Sequence, residues 1–290
     1  MQYFVRMETI MNYFETIPSS HRSIILVGGI AFFWLIEYAA PLFKFNYKKF
    51  KHAWPNIFFT LTTIVINFVL AFILLKTSDW TVANKFGIIQ WLDLPLWATV
   101  LLGVALLDLI GAWLAHYVQH MIKPLWMFHL IHHTDNHVDT TTANRHHPGE
   151  SVIRFIFTTL GVFIVGAPVG IIMLYQSLSV VLSQFNHANI SLPKRIDDMI
   201  SWIIVSPDMH KVHHHYVLPY TDTNYGNIFS IWDRIFSTFA KIRNEDLVYG
   251  VDTYPDVDSN AKISKLLKLP FAGYRAPEGS KFEADTKLDK

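Results

Sequence analysis

The chain has 290 residues, of which 51% are hydrophobic, 15% aromatic and only 16% charged, so its composition does not fit a soluble protein and favours a membrane protein. The net charge of +1 offers no overall field that would attract nucleic acid or an acidic partner. Because the chain contains no cysteine, disulfides, iron–sulfur clusters, thiolate-ligated haem and a cysteine nucleophile are excluded, and any metal must have nitrogen or oxygen ligands.

The N-terminal region precedes a first membrane span. The first 21 residues contain Glu8 and Glu15 within a broken apolar pattern, which is unlike a secretory signal, and we therefore expect residue 1 to be the mature start. Residues 23–43 form an apolar run of spanning length whose one acidic residue, Glu37, lies near its end. This run predicts a transmembrane helix.

Two more spans are predicted from the next apolar runs. Residues 55–75 contain no charged residue and begin with Pro55, which suits the first turn of a helix. The run at about 95–115 contains Asp108. A carboxylate within the membrane is costly enough to be a functional candidate, and the alternative is an aspartate that is hydrogen-bonded between helices.

The fourth apolar run, residues 152–185, is longer than one span requires. It is interrupted by Gly161, Gly166, Ala167, Pro168 and Gly170. The two pieces of roughly 14–16 residues would be about 21–24 Å long as helices, which is short of a hydrocarbon core of about 30 Å. We therefore expect a re-entrant or tightly packed hairpin that returns the chain to the side it left.

The basic residues of the loops predict the orientation. Residues 44–54 contain four lysines, whereas residues 77–90 contain only Lys85, so the first of these loops is predicted to be cytoplasmic. Two further crossings and the hairpin place residue 116 and residues 186–290 on the same face. In a bacterium this would be the cytoplasmic face of the inner membrane.

The expected fold is therefore all-α. It is a multi-pass membrane helical bundle, with about three full spans plus a broken or re-entrant hairpin, and a cytoplasmic histidine-rich helical cap. Residues 1–250 are expected to form a single membrane-embedded domain with a motif core at 95–240. The polar composition of residues 251–290 predicts a loose C-terminal tail.

Histidines supply the main functional signal, because 13 of the 15 lie between residues 116 and 215. Three clusters have helical spacing: His116 and His120; His129, His132 and His133; His210, His213 and His214. Offsets of three and four residues place side chains on one helix face, and neutral imidazole binds iron, zinc, copper or nickel. Three clusters offer more ligands than one ion can use. They predict two ions, each with an open position.

The other histidines carry weaker signals. A single histidine at a membrane boundary is more often an interfacial or core residue than a ligand. His187, in "FNHANI", could add a ligand from a fourth segment. Four histidines could support ligands, contact substrate or be solvated: His137, His146, His147 and His215. His21 and His52 are predicted to be ordinary surface residues.

Two kinds of chemistry fit such a cluster. A redox metal pair at the end of an apolar bundle would suit activation of dioxygen against an aliphatic C–H bond, with the protein aiming one carbon and excluding water. Zinc would instead support hydrolysis by lowering the pKa of bound water. Ligand type alone does not choose between them.

Four segments together resemble the sterol desaturase and fatty acid hydroxylase superfamily of integral-membrane non-haem di-iron oxygenases, in its bacterial form. They are "DLIGAWLAHYVQH", "HLIHHTDNHVDTTTANRHHP", "NHANI" and "SPDMHKVHHHYVLPYTDTNYGNIFSIWDRIFSTF". By this resemblance the metal ligands are His116, His120, His129, His132, His133, His187, His210, His213 and His214. Asp108 matches an acidic position ahead of the first box, and His137 and His147 are further candidates to support the ligands.

The chain departs from the family pattern at two places. Tyr117 stands where the family often has arginine, and Ser237 stands where it often has glycine. Neither departure removes a ligand, but both concern the surroundings of the pocket and therefore the choice of substrate.

The resemblance implies an enzyme that hydroxylates or desaturates a fatty acyl, sterol or related lipid. It would use two iron ions, dioxygen and two electrons. The chain lacks a Gly-x-Gly-x-x-Gly nucleotide fingerprint, so the resemblance implies a separate electron donor of the ferredoxin or cytochrome b5 type. A zinc-dependent membrane hydrolase or a structural zinc site is the alternative. A metal transporter is less favoured, because transporters place ionisable residues along the middle of several spans.

Overall fold

The computed structural model describes residues 2–285, and within them the regular structure is helical, without a β-strand. In chain order the helices are α1 (Gln2–Glu15), α2 (Ser19–Ala39), α3 (Lys49–Ala83), α4 (Ile88–Trp91), α5 (Leu96–Asp108), α6 (Ala115–Met121), α7 (Lys123–His133), α8 (Pro148–Val165), α9 (Val169–His187), α10 (Lys194–Ile200), α11 (Pro207–His213), α12 (Ile231–Ile235), α13 (Val257–Asn260) and α14 (Ile263–Lys268). A wide π-helical turn, Leu109–Leu114, joins α5 to α6. The all-α prediction is confirmed.

Five segments of the described chain are long and apolar enough to cross a membrane. They are α2, α3 with α4, the continuous α5–α6 segment, α8 and α9. The α5–α6 segment is central, since 56% of its most apolar stretch is buried, against 11% for α2 and for the α3–α4 segment. On α3, Phe68 is 83% exposed and Phe72 is 68% exposed. Such an apolar face is suited to contact with lipid.

Helix α3 differs from its prediction at one end. It begins at Lys49, so Pro55 lies inside the helix and not in its first turn. The additional turns are held by tertiary contacts, because His52 Nε2 lies 2.8 Å from Asp135 Oδ1 and Asn56 donates to Thr141. Long helices are stabilised more by such contacts than by local preference.

Helices α8 and α9 form the predicted hairpin, but each is longer than expected. They have 18 and 19 residues, which corresponds to lengths of about 27 and 28 Å. The chain breaks only at Gly166–Pro168, where Gly166 ends α8 in the left-handed conformation with φ 73°. A side chain on Gly87, in the neighbouring loop, would overlap the backbone of Gly166. Close approach of two backbones thus fixes the turn.

The two ends of the bundle have different connections. At one end Glu37 Oε1, at the end of α2, accepts hydrogen bonds from the backbone N–H groups of Thr140 and Asn189. At the other end Gln90 donates to the carbonyl of Gly166. The lysine-rich loop between α2 and α3 and the histidine-rich cap therefore lie at the same end.

The described part of the C-terminal segment is packed and not loose as expected. Leu266 and Tyr274 are buried, and Tyr274 belongs to a core cluster with Trp126 and Leu130 of α7. Apolar side chains interspersed in this polar sequence account for the difference. The division of the chain into a domain at 1–250 and a tail at 251–290 stays a prediction, and residues 286–290 lie outside the described part.

Candidate metal centre

The nine histidines that the sequence analysis proposed as ligands gather at one end of the bundle in two groups. Group one contains His116, His120, His129, His133 and His213. Group two contains His132, His187, His210 and His214. Within each group one ligand atom per residue lies within 4.8 Å of the others, and every member is at most 7% exposed. The structure thus brings together all nine predicted residues.

The spacing of the boxes divides their members between the groups. In the second box, His129 and His133 enter group one and His132 enters group two. Residues four apart differ by about 40° around a helix, whereas a residue three along is turned about 60° the other way. The middle histidine therefore points into the neighbouring group. The third box follows the same rule with the two groups exchanged, since His210 and His214 enter group two and His213 enters group one.

Five of the nine rings are oriented by acceptors at Nδ1. These contacts are His116 to Tyr225 O (2.9 Å), His120 to Asp222 Oδ1 (3.0 Å), His129 to Glu150 Oε1 (2.8 Å), His187 to Ser183 O (2.7 Å) and His213 to Thr223 O (2.6 Å). Carbonyl and ionised carboxylate oxygens only accept, so Nδ1 carries the proton and Nε2 presents its lone pair. This arrangement is typical of metal-binding histidines.

The resulting lone pairs point at one another in group one. Nε2 of His116 lies 3.0 Å from Nε2 of His129, and both nitrogens are unprotonated by the reasoning above. Nε2 of His120 and of His213 is buried without a hydrogen-bond partner within residues 2–285. Facing lone pairs repel, whereas a cation between them would be attracted to all of them. Group one therefore fits a metal ion.

Group two converges on His187. Its Nε2 lies 3.1 Å from Nε2 of His132 and 3.0 Å from Nε2 of His210. Both ring nitrogens of His214 are buried and have no hydrogen-bond partner in the described chain. Four imidazoles with uncommitted nitrogens also fit a metal ion.

Burial keeps the cap histidines in the form that binds metal. Outside the spanning segments, burial lowers the pKa of each cluster histidine, and neighbouring imidazoles lower most of them further. The residues concerned are His129, His132, His133, His210, His213 and His214. Neutral imidazole at pH 7 is the ligand form.

Two carboxylates that sequence reasoning missed orient ligands. Glu150 Oε1 is 2.8 Å from Nδ1 of His129 and 2.8 Å from Nδ1 of His146, and Asp222 contacts both His120 and Lys281. An acidic residue at the start of a predicted span was an available signal for Glu150. Asp222 lies in a loop, where spacing carries no comparable signal.

Asp108 and Asp233 brace the segment that supports His116. Asp108 accepts hydrogen bonds from the N–H groups of Ile228 and Phe229 and from the indole of Trp232. Reciprocally, Asp233 accepts from the indole of Trp113 and from the N–H groups of residues 225 and 226. Within residues 2–285, Asp108 makes no hydrogen bond to a member of either group. It is a buried acceptor that joins α5 to the loop before α12.

The remaining histidines lie around the two groups. His137 stacks on Tyr47, and His147 caps α8 by accepting from the N–H of Gly149. His146 stacks on His132, and His215 accepts from the N–H of Val248. The prediction that His52 is a surface residue was wrong, because it lies between Asp135 and Asp139 with a side chain only 11% exposed. His21 lies 3.0 Å from the Tyr13 hydroxyl in an exposed contact, as expected for the surface.

A narrow cavity reaches both groups. It is lined by His116 and His129 of group one and by His132, His187 and His210 of group two. Arg154, Ser183 and Asn227 line the same cavity. A molecule bound there would contact both groups at once.

A bundle of membrane-spanning helices with two buried histidine groups at one end defines a histidine-rich integral-membrane metal protein. Residues 100–238 match the family model for fatty acid hydroxylase. The resemblance that the motifs predicted is thus confirmed for this segment, which carries a fatty acid hydroxylase domain.

Curated relatives support this assignment. The chain is 24% identical over 226 residues to ornithine lipid hydroxylase OlsE of Rhizobium tropici. This match covers 75% of this chain and 66% of that protein. It is 28% identical to the alkylglycerol monooxygenases of Caenorhabditis elegans and Homo sapiens, over 144 and 162 residues. These matches cover 49% and 55% of this chain but only 27% and 33% of those proteins. No solved structure matches the chain.

Proposed function

We propose that this protein is a membrane-bound di-iron oxygenase that hydroxylates a lipid C–H bond with dioxygen and externally supplied electrons. The observation that carries the proposal is the division of nine buried histidines into two adjacent groups at one end of a membrane bundle. Nitrogen-rich sites with redox metals suit oxygen chemistry, and zinc would serve only hydrolysis or structure.

The proposed ligands divide between two iron ions. Group one would hold one ion and group two the other, through the nine histidines named above. The ions would supply the activation of dioxygen that organic side chains cannot perform. In the overall reaction a C–H bond and dioxygen, with two electrons and two protons, give a C–OH bond and one water. Desaturation would instead remove two hydrogens from adjacent carbons and give two waters.

The chain's own residues would orient the ligands and exclude water. Glu150 and Asp222 hold the rings of His129 and His120 in one tautomer, so their Nε2 lone pairs stay aimed into the group. The members of both groups are buried, which keeps bulk water from a reactive oxidant. Such preorganisation lets the protein aim one carbon at the centre.

The proposed substrate is a membrane lipid. The relatives' names describe an ornithine lipid hydroxylase and alkylglycerol monooxygenases, which favours hydroxylation over desaturation for this chain. The electron donor would be a separate ferredoxin or cytochrome b5 type protein. It would meet the site on the cytoplasmic face, since the lysine-rich loop lies at the histidine end of the bundle.

Isotope labelling of lipids tests this function. Cells that express the wild-type chain are grown under ¹⁸O₂, and their lipids are compared by mass spectrometry with those of cells that express His132→Ala. His21→Ala serves as a matched histidine control. We expect a hydroxylated lipid that carries ¹⁸O in the wild type and the control but not in His132→Ala. Product without the label, or lipid cleavage that is indifferent to oxygen, would contradict the proposal and favour a zinc hydrolase.

A further inference from the structure

Arg154 is a cation in a membrane-spanning helix that the metal centre does not account for. It lies in the second turn of α8, whose other charged residue, Glu150, already accepts hydrogen bonds from His129 and His146. An arginine within a span is costly and usually faces a polar cavity or a functional site. An anionic partner would compensate for this cost.

The ion pair with Glu150 leaves Arg154 largely uncommitted. A guanidinium nitrogen of Arg154 lies 3.9 Å from Glu150 Oε1, which is beyond hydrogen-bond distance. Within residues 2–285 its N–H groups make no hydrogen bond, and its side chain is 28% exposed. Arginine offers five N–H donors in a planar fork that matches phosphate and carboxylate oxygens. These donors are available to a ligand.

Arg154 lines the cavity that reaches both histidine groups. His116 and His187, one from each group, line the same cavity, together with the polar side chains of Ser183 and Asn227. Asn227 is held in place by a 2.7 Å hydrogen bond to the Ser179 hydroxyl. A ligand group in this narrow cavity would lie beside the guanidinium and beside histidines of both groups.

The depth of the site limits which part of a lipid can reach it. His187 is the last residue of α9, His147 directly precedes α8, and Arg154 lies only about 9 Å along α8 from Pro148. In a bilayer the headgroups lie at this level, whereas the ends of the acyl chains lie near the middle of a core of about 30 Å. Carbons close to the headgroup are thus at the height of the histidines.

We propose that Arg154 binds an anionic oxygen of the lipid headgroup, a phosphate or a carboxylate, and so places a carbon near that headgroup beside the two histidine groups. The oxidation of that carbon rests on the proposed function, whereas the binding of the anionic headgroup does not. Arg154 is in this account a specificity-determining residue.

Lipid binding by the full-length protein, purified in detergent with its metal, tests the proposal. Three probes share one acyl chain: a lysophosphatidic acid, the free fatty acid and the neutral monoacylglycerol. Dissociation constants are measured for the wild type, Arg154→Gln and Arg154→Lys, with Arg22→Gln as a control that removes an exposed arginine at the start of α2. The assay contains neither oxygen nor reductant, so it does not depend on turnover.

The wild type and Arg22→Gln are expected to bind one anionic probe at least about tenfold more tightly than the neutral probe, as a charged hydrogen bond provides. Arg154→Gln should abolish this preference. Arg154→Lys, which keeps the charge without the fork, should retain part of it. Whether the phosphate or the carboxylate probe is preferred identifies the headgroup.

Two outcomes would overturn the proposal. One is equal affinity of the wild type for all three probes, and the other is an unchanged preference in Arg154→Gln. Metal content of each variant is measured in parallel, and loss of metal from both Arg154 variants with unchanged lipid preference would assign the arginine to support of Glu150. Failure of the isotope experiment would remove the proposed oxidation and leave this binding result unaffected.

Discussion

His116 and His129 face each other with their Nε2 atoms 3.0 Å apart, while each ring donates its Nδ1 proton to an acceptor on the opposite side. This relationship is unfavourable for a metal-free protein, since two lone pairs share one buried space. It becomes favourable when a cation binds both nitrogens. The same tautomer is set for His120, His187 and His213, whose Nδ1 atoms also face an acceptor.

The two groups should lose metal independently. The double variant His129→Ala/His213→Ala removes two ligands of group one, and His187→Ala/His210→Ala removes two ligands of group two. Each should retain about one ion where the wild type holds about two, because a site with too few ligands binds weakly. Metal analysis of the purified variants checks this, with His21→Ala as the control. Loss of both ions from each double variant would mean that the groups form a single site.

The carboxylate behind His120 should tune group one alone. Asp222→Asn replaces an ionised acceptor for the His120 ring, so the metal affinity of group one should fall about 10- to 100-fold. Group two has no contact with Asp222 in the described chain and should keep its affinity. Competition with a chelator measures both values. Asp252 lies on the same side of His120 without a hydrogen bond to it, so Asp252→Asn is the matched control and should leave the metal affinity unchanged. Equal losses in the two variants would refute a specific role for Asp222.

Ser237 occupies a backbone conformation that favours glycine. Its φ is 58°, and it is the position at which the superfamily often has glycine. Ser237→Gly should stabilise the protein by about 0.5–1 kcal/mol, because relief of about 1–2 kcal/mol of strain exceeds the entropic cost of glycine. Thermal unfolding in detergent checks the direction of the change. Ser191→Gly, at a residue outside the left-handed region, should lower the unfolding temperature. A lower unfolding temperature for Ser237→Gly as well would contradict the presence of backbone strain at Ser237.

Much of the site was predictable because helical spacing is a local property. The three boxes were recognised from residues within one or two helical turns of one another, whereas His187 was assigned by the resemblance to the family, and all nine meet in the structure. Helical spacing separates the middle histidine of a box from the other two, but which histidines of the other boxes it meets was not predictable, because that depends on how α7 and α11 face each other. The roles of Glu150 and Asp222 depend on contacts with residues 21 and 102 positions away.

The errors have the same physical origin. His52 was expected at the surface, but the loop after α7 folds back and places Asp135 and Asp139 beside it. The segment at 251–290 was expected to be loose because its composition is polar, but its described part is packed. A few buried side chains, such as Leu266 and Tyr274, are sufficient to hold it against the cap.

Asp139 should make stability depend on pH in the acidic range. Burial alone would raise the pKa of the Asp139 carboxyl, but the ion pair with His52 at 3.3 Å and a hydrogen bond from the Thr141 hydroxyl outweigh it and hold the pKa below the usual 3.8. The unfolded chain therefore takes up this proton at a higher pH than the folded protein. The stabilisation is fully present above about pH 4 and is lost as pH falls through the folded pKa.

Thermal unfolding of the wild type and Asp139→Asn between about pH 6 and pH 3 measures this contribution. We expect a lower unfolding temperature for the variant at pH 6, and a smaller difference between the two proteins at pH 3. Asp79→Asn, at an exposed residue of α3, is the control and should follow the wild type. A difference that does not shrink as the pH falls would show that Asp139 is not the titrating group.

The measurement that tests the central claim most directly is the metal content of the protein, purified in mild detergent from iron-supplemented cells, with Mössbauer spectra of the same sample. Two histidine groups that each hold iron predict about two irons per chain and the signature of a coupled pair. Zinc alone, which persists under iron supplementation without an iron signal, would contradict the proposal that the protein is a di-iron oxygenase.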